Sequence, residues 1–152
     1  CKELEEIING WNELDYFSKW ENKVRDAFHA HKLGMYSLSV PVWALMMEGI
    51  IRDFMRGNYG ITAFKFSTLY DNFKEKANEL DRFIVSYAFN CIDSFYIRFN
   101  PENPDGACDF SRNKIFHGQA INYDTEINSL KLMLYLDELF YIELSLKNPI
   151  SA

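Results

Sequence analysis

The chain has little of what interrupts or staples a fold. Its 152 residues include only 4 prolines, 7 glycines and 3 cysteines. Few breakers mean long uninterrupted elements. Cys1, Cys91 and Cys108 are odd in number and form no C-x-x-C pair. That argues against a disulfide scaffold or a zinc site, and fits a reducing, cytoplasmic compartment. No apolar run approaches the roughly 20 residues of a membrane span, and no signal-peptide pattern is visible. Positive charge is also scarce: 16 Lys and Arg stand against 22 Asp and Glu, a formal net charge of -6. This argues against a broad nucleic-acid-coating surface but leaves room for a small basic cleft. There is no P-loop, no G-x-G-x-x-G after a strand and no G-x-S-x-G. His29 and His31 are two apart, on different sides of a helix, and make a poor metal pair. No metal and no cofactor is expected. The chain opens on Cys1 rather than Met, consistent with a piece of a longer protein.

Helical periodicity dominates what is present. A first helix is predicted over about residues 2–18, with Leu4, Ile7, Ile8, Trp11 and Leu14 on one face and Gly10 as a weak point. A second runs from about Glu21 to Leu33, with Gly34 as its stop. A third is predicted to start near Pro41 with Ser39 as N-cap, since proline is tolerated in a first turn. Its stripe is Val42, Leu45, Met46, Gly49, Ile50 and Phe54, and Gly57-Asn58-Tyr59-Gly60 ends it. Further helices are predicted over about 64–78 and from about Leu80 to Ile97. A loop follows at Asn100–Gly106. A short helix then carries Arg112 to His117 and stops at Gly118. The last helix, about Thr125 to Leu146, is apolar around most of its circumference. Such a helix is central in a bundle or is covered by a second subunit. Aromatics are frequent (13 Phe, 9 Tyr, 3 Trp). Most keep helical register, so core packing explains them better than base stacking.

Two residue sets stand out. Glu48 and Arg52 form an i, i+4 pair in the favoured order. Asp53 falls by helical angle within the Val42/Met46/Gly49/Ile50 stripe, where an unpaired carboxylate is costly. It is expected to meet Arg112, to line a cleft, or to lie at the solvated end of its helix.

The segment Arg112-Asn113-Lys114-Ile115-Phe116-His117-Gly118 resembles the R-x(4–6)-H signature of the HEPN superfamily, in which a polar residue often follows the Arg. Tyr123-Asp124-Thr125, Asn128-Ser129-Leu130-Lys131 and Leu136-Asp137 extend the likeness, as does Pro41 to Asp53 with Glu48-Gly49-Ile50 inside it. The resemblance is specific over about 108–140, looser over 21–56, weak over 58–100 and absent from the first twenty residues. It implies an all-α, HEPN-like helical bundle with antiparallel long helices and a short motif-bearing helix. Residues 1–20 are then an N-terminal helical extension and 21–152 the HEPN-like domain.

The implied activity is metal-independent endoribonuclease cleavage by a homodimer, in phage defence or a toxin–antitoxin system, with RNA as substrate and an antitoxin as partner. The alternative is a non-catalytic dimerisation or protein-interaction module. His117 suits proton transfer because histidine titrates near neutrality. Arg112 suits a charged phosphate because its planar guanidinium matches phosphate oxygens. Asn113 would orient the imidazole or bond the phosphate. Lys114, Glu48 and Asp53 are the candidate substrate-binding residues. Residues five apart on a helix are separated by about 140° and about 7.5 Å. Arg112 and His117 therefore do not share one narrow face. A site built by two subunits relaxes that demand.

Overall fold

The computed structural model describes residues 2–96 and 110–147. These form α1 (Lys2–Gly10), a 3-10 turn (Trp11–Glu13), α2 (Asp15–Ser18), α3 (Glu21–Lys32), α4 (Tyr36–Tyr59), α5 (Phe66–Lys76), α6 (Glu79–Tyr96), α7 (Arg112–Phe116) and α8 (Glu126–Lys147). There is no strand among the described residues, so the fold is all-α. No helix there is long and apolar enough to cross a membrane. Cys1, Cys108 and the 100–106 loop lie outside the described residues, as does the side chain of Cys91.

Glycine ends three of the helices. Gly34, Gly60 and Gly118 take φ of 72°, 63° and 68°, the left-handed region that only glycine enters cheaply. At Gly60 the reversed backbone lets Gly60 N–H reach Arg56 O and Ile61 N–H reach Met55 O, satisfying carbonyls at the end of α4.

Two expectations about helix limits are corrected. The first helix is not continuous to residue 18: α1 ends at Gly10, a 3-10 turn follows, and α2 restarts at Asp15. Gly10 is where the backbone gives way. The third helix starts at Tyr36, not near Pro41, and Pro41 lies inside it. Ser39 is therefore no N-cap. It is fully buried, with its Oγ 3.0 Å from Ser129 Oγ, which in turn lies 2.9 Å from His31 Nδ1. This polar knot ties α3, α4 and α8 together. A helix can carry proline in its second turn when packing on both flanks compensates for the lost hydrogen bond.

The knot also fixes direction. Ser39 and Ser129 place the starts of α4 and α8 together, while Ile50 and Phe54 meet Leu139 and Ile142 near their ends. The two longest helices are thus parallel to each other. The antiparallel neighbour is α6: Val85 lies against Phe54 and Leu139, and Phe95, further on, reaches Phe110, which Lys131 of α8 also covers. The tight Gly34 turn sets α3 antiparallel to α4.

Residues 2–20 share this core rather than lying outside it. Ile8, Trp11, Leu14 and Phe17 are buried with Trp43, Met46 and Met47 of α4. Trp11 stacks edge-on against Trp43 at 6.2 Å, and its Nε1–H donates to Asp137 Oδ1 at 3.0 Å. Each such buried side chain contributes about 1.5–3 kcal/mol. Gly49 and Gly57, two turns apart on α4, give the segment room. A Cβ at Gly49 would collide with the Trp20 indole, and one at Gly57 with the Tyr16 hydroxyl.

Candidate functional site

The motif helix is too short to persist alone. Tertiary contacts hold α7 from both ends. Ser111 and Ile115 are buried, and Arg112 reaches across to α4. The helix closes at His117, whose N–H bonds Asn113 O at 3.0 Å. The left-handed Gly118 then lets Gln119 N–H bond Lys114 O at 2.8 Å.

Glu48 is the centre of the site. Its Oε2 accepts from Arg112 Nε at 2.9 Å and lies 2.8 Å from Arg112 Nη2. Its Oε1 accepts from Arg52 Nε at 3.1 Å and Nη2 at 2.8 Å. One carboxylate therefore divides its two oxygens between two guanidiniums, and the cluster keeps one net positive charge. Such charge-assisted pairs are short and directional. Arg52 also donates to Ala63 O at 2.6 Å and Phe64 O at 2.9 Å, pinning the loop between α4 and α5.

The other sequence-derived candidates are dispersed. Asn113 joins the cluster, its Oδ1 accepting from Arg112 Nη1 at 3.2 Å. Its side chain thus orients the guanidinium. His117 is exposed, with no hydrogen bond to its imidazole among the described residues. Lys114 is only 6% exposed, so little of its side chain is open to solvent. Asp53 does not meet Arg112. It pairs with Lys19 and, at 2.5 Å, with Arg56. Five residues beyond Glu48, it projects about 140° around α4, onto the face covered by residues 15–20. Nor does it lie at a helix end, since α4 continues to Tyr59.

Three features escaped the sequence reading. The Tyr96 hydroxyl is buried and has no hydrogen-bond partner among the described residues. Burial pushes its pKa up, Glu48 adds to the rise, and Arg112 and Arg52 oppose it. The phenol is thus a neutral donor beside the arginine pair. Phe116 presents its ring to Arg112 at 5.2 Å and is partly exposed. Phe64 is 95% exposed beside Arg52. A depression of about 590 Å³ opens there, lined by Glu48, Arg52, Thr62, Ala63 and Phe64. Helical register signals none of these, because Phe64 lies in a loop and Tyr96 acts across the fold.

The arrangement can bind an anion at oriented guanidinium groups and exchange a proton at an open imidazole. Among the described residues no group of three or more His, Cys, Asp or Glu is placed to hold a metal ion. No family model, no curated protein and no solved structure matches this chain.

Proposed function

We propose that the chain is a metal-independent endoribonuclease of the HEPN type acting as a homodimer. The observation that carries this reading is a solvent-open His117 capping the same short helix whose first residue, Arg112, is already oriented by Glu48 and Asn113. In the proposed reaction the His117 imidazole takes the proton of an RNA 2′-OH. The 2′-oxygen attacks the adjacent phosphorus, the O2′–P bond forms, and the P–O5′ bond breaks. An imidazolium, from the same or a second copy, returns a proton to O5′. Arg112 holds the charge that builds on the phosphate oxygens. The products are a 2′,3′-cyclic phosphate and a 5′-hydroxyl. We infer a cytoplasmic setting from the sparse, unpaired cysteines, and, from the resemblance, a role in phage defence or a toxin–antitoxin pair with an antitoxin as the protein partner. Mass spectrometry of RNA digested in excess chelator tests it: cyclic-phosphate ends are expected, and 3′-hydroxyl ends with 5′-phosphates would refute the chemistry.

A second reading, a non-catalytic dimerisation or interaction module, is favoured by the outer face of α8. Ile127, Leu134 and Tyr141 recur every seven residues and are 64%, 61% and 55% exposed. Lys131 and Glu138 lie on the same face. Two copies set antiparallel about Leu134 would bring Lys131 of each opposite Glu138 of the other, a self-complementary pattern. This dimer serves both readings, and retention of dimerisation without RNA turnover would select the second.

A further inference from the structure

The geometry points to a single-stranded RNA track across the arginine cluster, with one base stacked on Phe64 and another on Phe116. This rests on the nuclease reading and names the form of its substrate.

The contacts form a chain. Phe64 is joined through its carbonyl to Arg52, Arg52 to Glu48, Glu48 to Arg112, and Arg112 to the Phe116 ring. An almost fully exposed ring at Phe64 and a partly exposed one at Phe116 thus each belong to a residue in contact with one of two guanidiniums that share a carboxylate. Isolated exposed apolar side chains are ordinary on protein surfaces, and Phe64 alone would mean little. Its setting is what matters. Arg52 holds the carbonyls of both Ala63 and Phe64, so the loop backbone is fixed while the ring stands in water. A platform held this way loses little freedom when a base settles on it. The depression beside it supplies room for the base and sugar, with the Thr62 side chain at its wall.

Chemistry selects the ligand. Aromatic faces accept any base, but only one that is unpaired and unstacked. Arg112 makes one contact from each terminal nitrogen, which leaves a further N–H on each for a phosphate. The chain has a formal net charge of -6, whereas the Arg52–Glu48–Arg112 cluster carries one net positive charge. Contact with about two phosphates predicts a shallow salt dependence, with a log–log slope of about -1.4.

The test uses fluorescence anisotropy with a labelled 2′-O-methyl single strand, which cannot be cut, and the same strand in a duplex. Wild type should bind the single strand and prefer it to the duplex. Phe64→Ala should bind about 5- to 150-fold more weakly, the range for loss of one stacked base, and Phe64→Trp should restore binding. Because Phe64 is 95% exposed, its loss should leave the melting temperature unchanged. If Phe64→Ala binds and cuts as wild type does, the track is wrong while the nuclease reading stands. If wild type binds the single strand through Phe64 but never cuts RNA, the track stands and the nuclease reading fails. Equal affinity for the duplex, or no binding by wild type, overturns the track.

Discussion

Glu48 on α4 holds Arg112 on α7 across 64 residues of sequence, with contacts of 2.9 Å to Nε and 2.8 Å to Nη2. This link joins the motif helix to the body of the fold and sets the direction of its guanidinium. Both groups are only partly shielded, at 18% and 29% side-chain exposure. The pair is therefore firmer than a surface ion pair without being a buried one.

Glu48→Ala should lower stability by about 1–3 kcal/mol, the range for losing hydrogen bonds to a charged group. Glu48→Gln should lose less, since the amide oxygen still accepts from one arginine. Urea denaturation measures both. No change in midpoint for the alanine variant would show that the buried residues Ser111 and Ile115 hold α7 without the ion pair.

Gly49→Ala should destabilise by about 1–3 kcal/mol, because the added methyl displaces the Trp20 indole from its seat on α4. The loss should appear as a rise in tryptophan solvent exposure. On an open helix face the same change would stabilise the protein, since alanine is the better helix former. The sign of the change in midpoint decides the matter.

The sequence made the body of the fold legible and its long-range pairings illegible. Register alone located α3, α5 and α6 to within a few residues, because each shows a helical-period apolar pattern, and α8 was located by its long, nearly all-round apolar run. Pro41 misled, because its local preference for a first turn was overridden by the burial of Ser39 against Ser129. Glu48 was legible as the partner of Arg52, an i, i+4 neighbour. Its second partner, Arg112, was not, since nothing local encodes a contact between distant helices. Asp53 was readable in principle: Gly49 and Gly57, one turn to either side, mark a face that another segment covers closely.

Two buried groups give stability opposite pH trends. Burial lowers the pKa of His31 from its ordinary 6.5, with Glu126 opposing. The unfolded chain therefore takes up this proton first. The contribution of His31 is full above 6.5 and is lost as pH falls below that value toward its folded pKa. His31→Gln should flatten this acid limb in thermal melts.

Glu143 behaves in the reverse sense. Burial raises its pKa from 4.5, while the neighbouring Lys147 pulls it down. The stability it adds is present below 4.5 and is lost as pH rises through its folded pKa. Glu143→Gln should match wild type at about pH 4 and melt higher at about pH 7.5, where the variant removes a buried charge. A lower melting temperature at neutral pH would mean that the contact with Lys147, 3.3 Å from Oε1, outweighs burial.

The α8 face makes a charge-swap prediction. Lys131→Glu should weaken the proposed dimer by setting like charges opposite Glu138 of the other copy. Adding Glu138→Lys should restore it, and Leu134→Glu should abolish it. Light scattering across a concentration series reads all three. A double variant no better than the single would remove the antiparallel arrangement.

The most direct measurement is the rate of RNA cleavage in excess chelator by wild type and by His117→Ala, each shown by circular dichroism to be folded. Loss of the proposed general base predicts a fall of about 10²- to 10⁴-fold. Cleavage by the folded alanine variant at the wild-type rate would contradict the account.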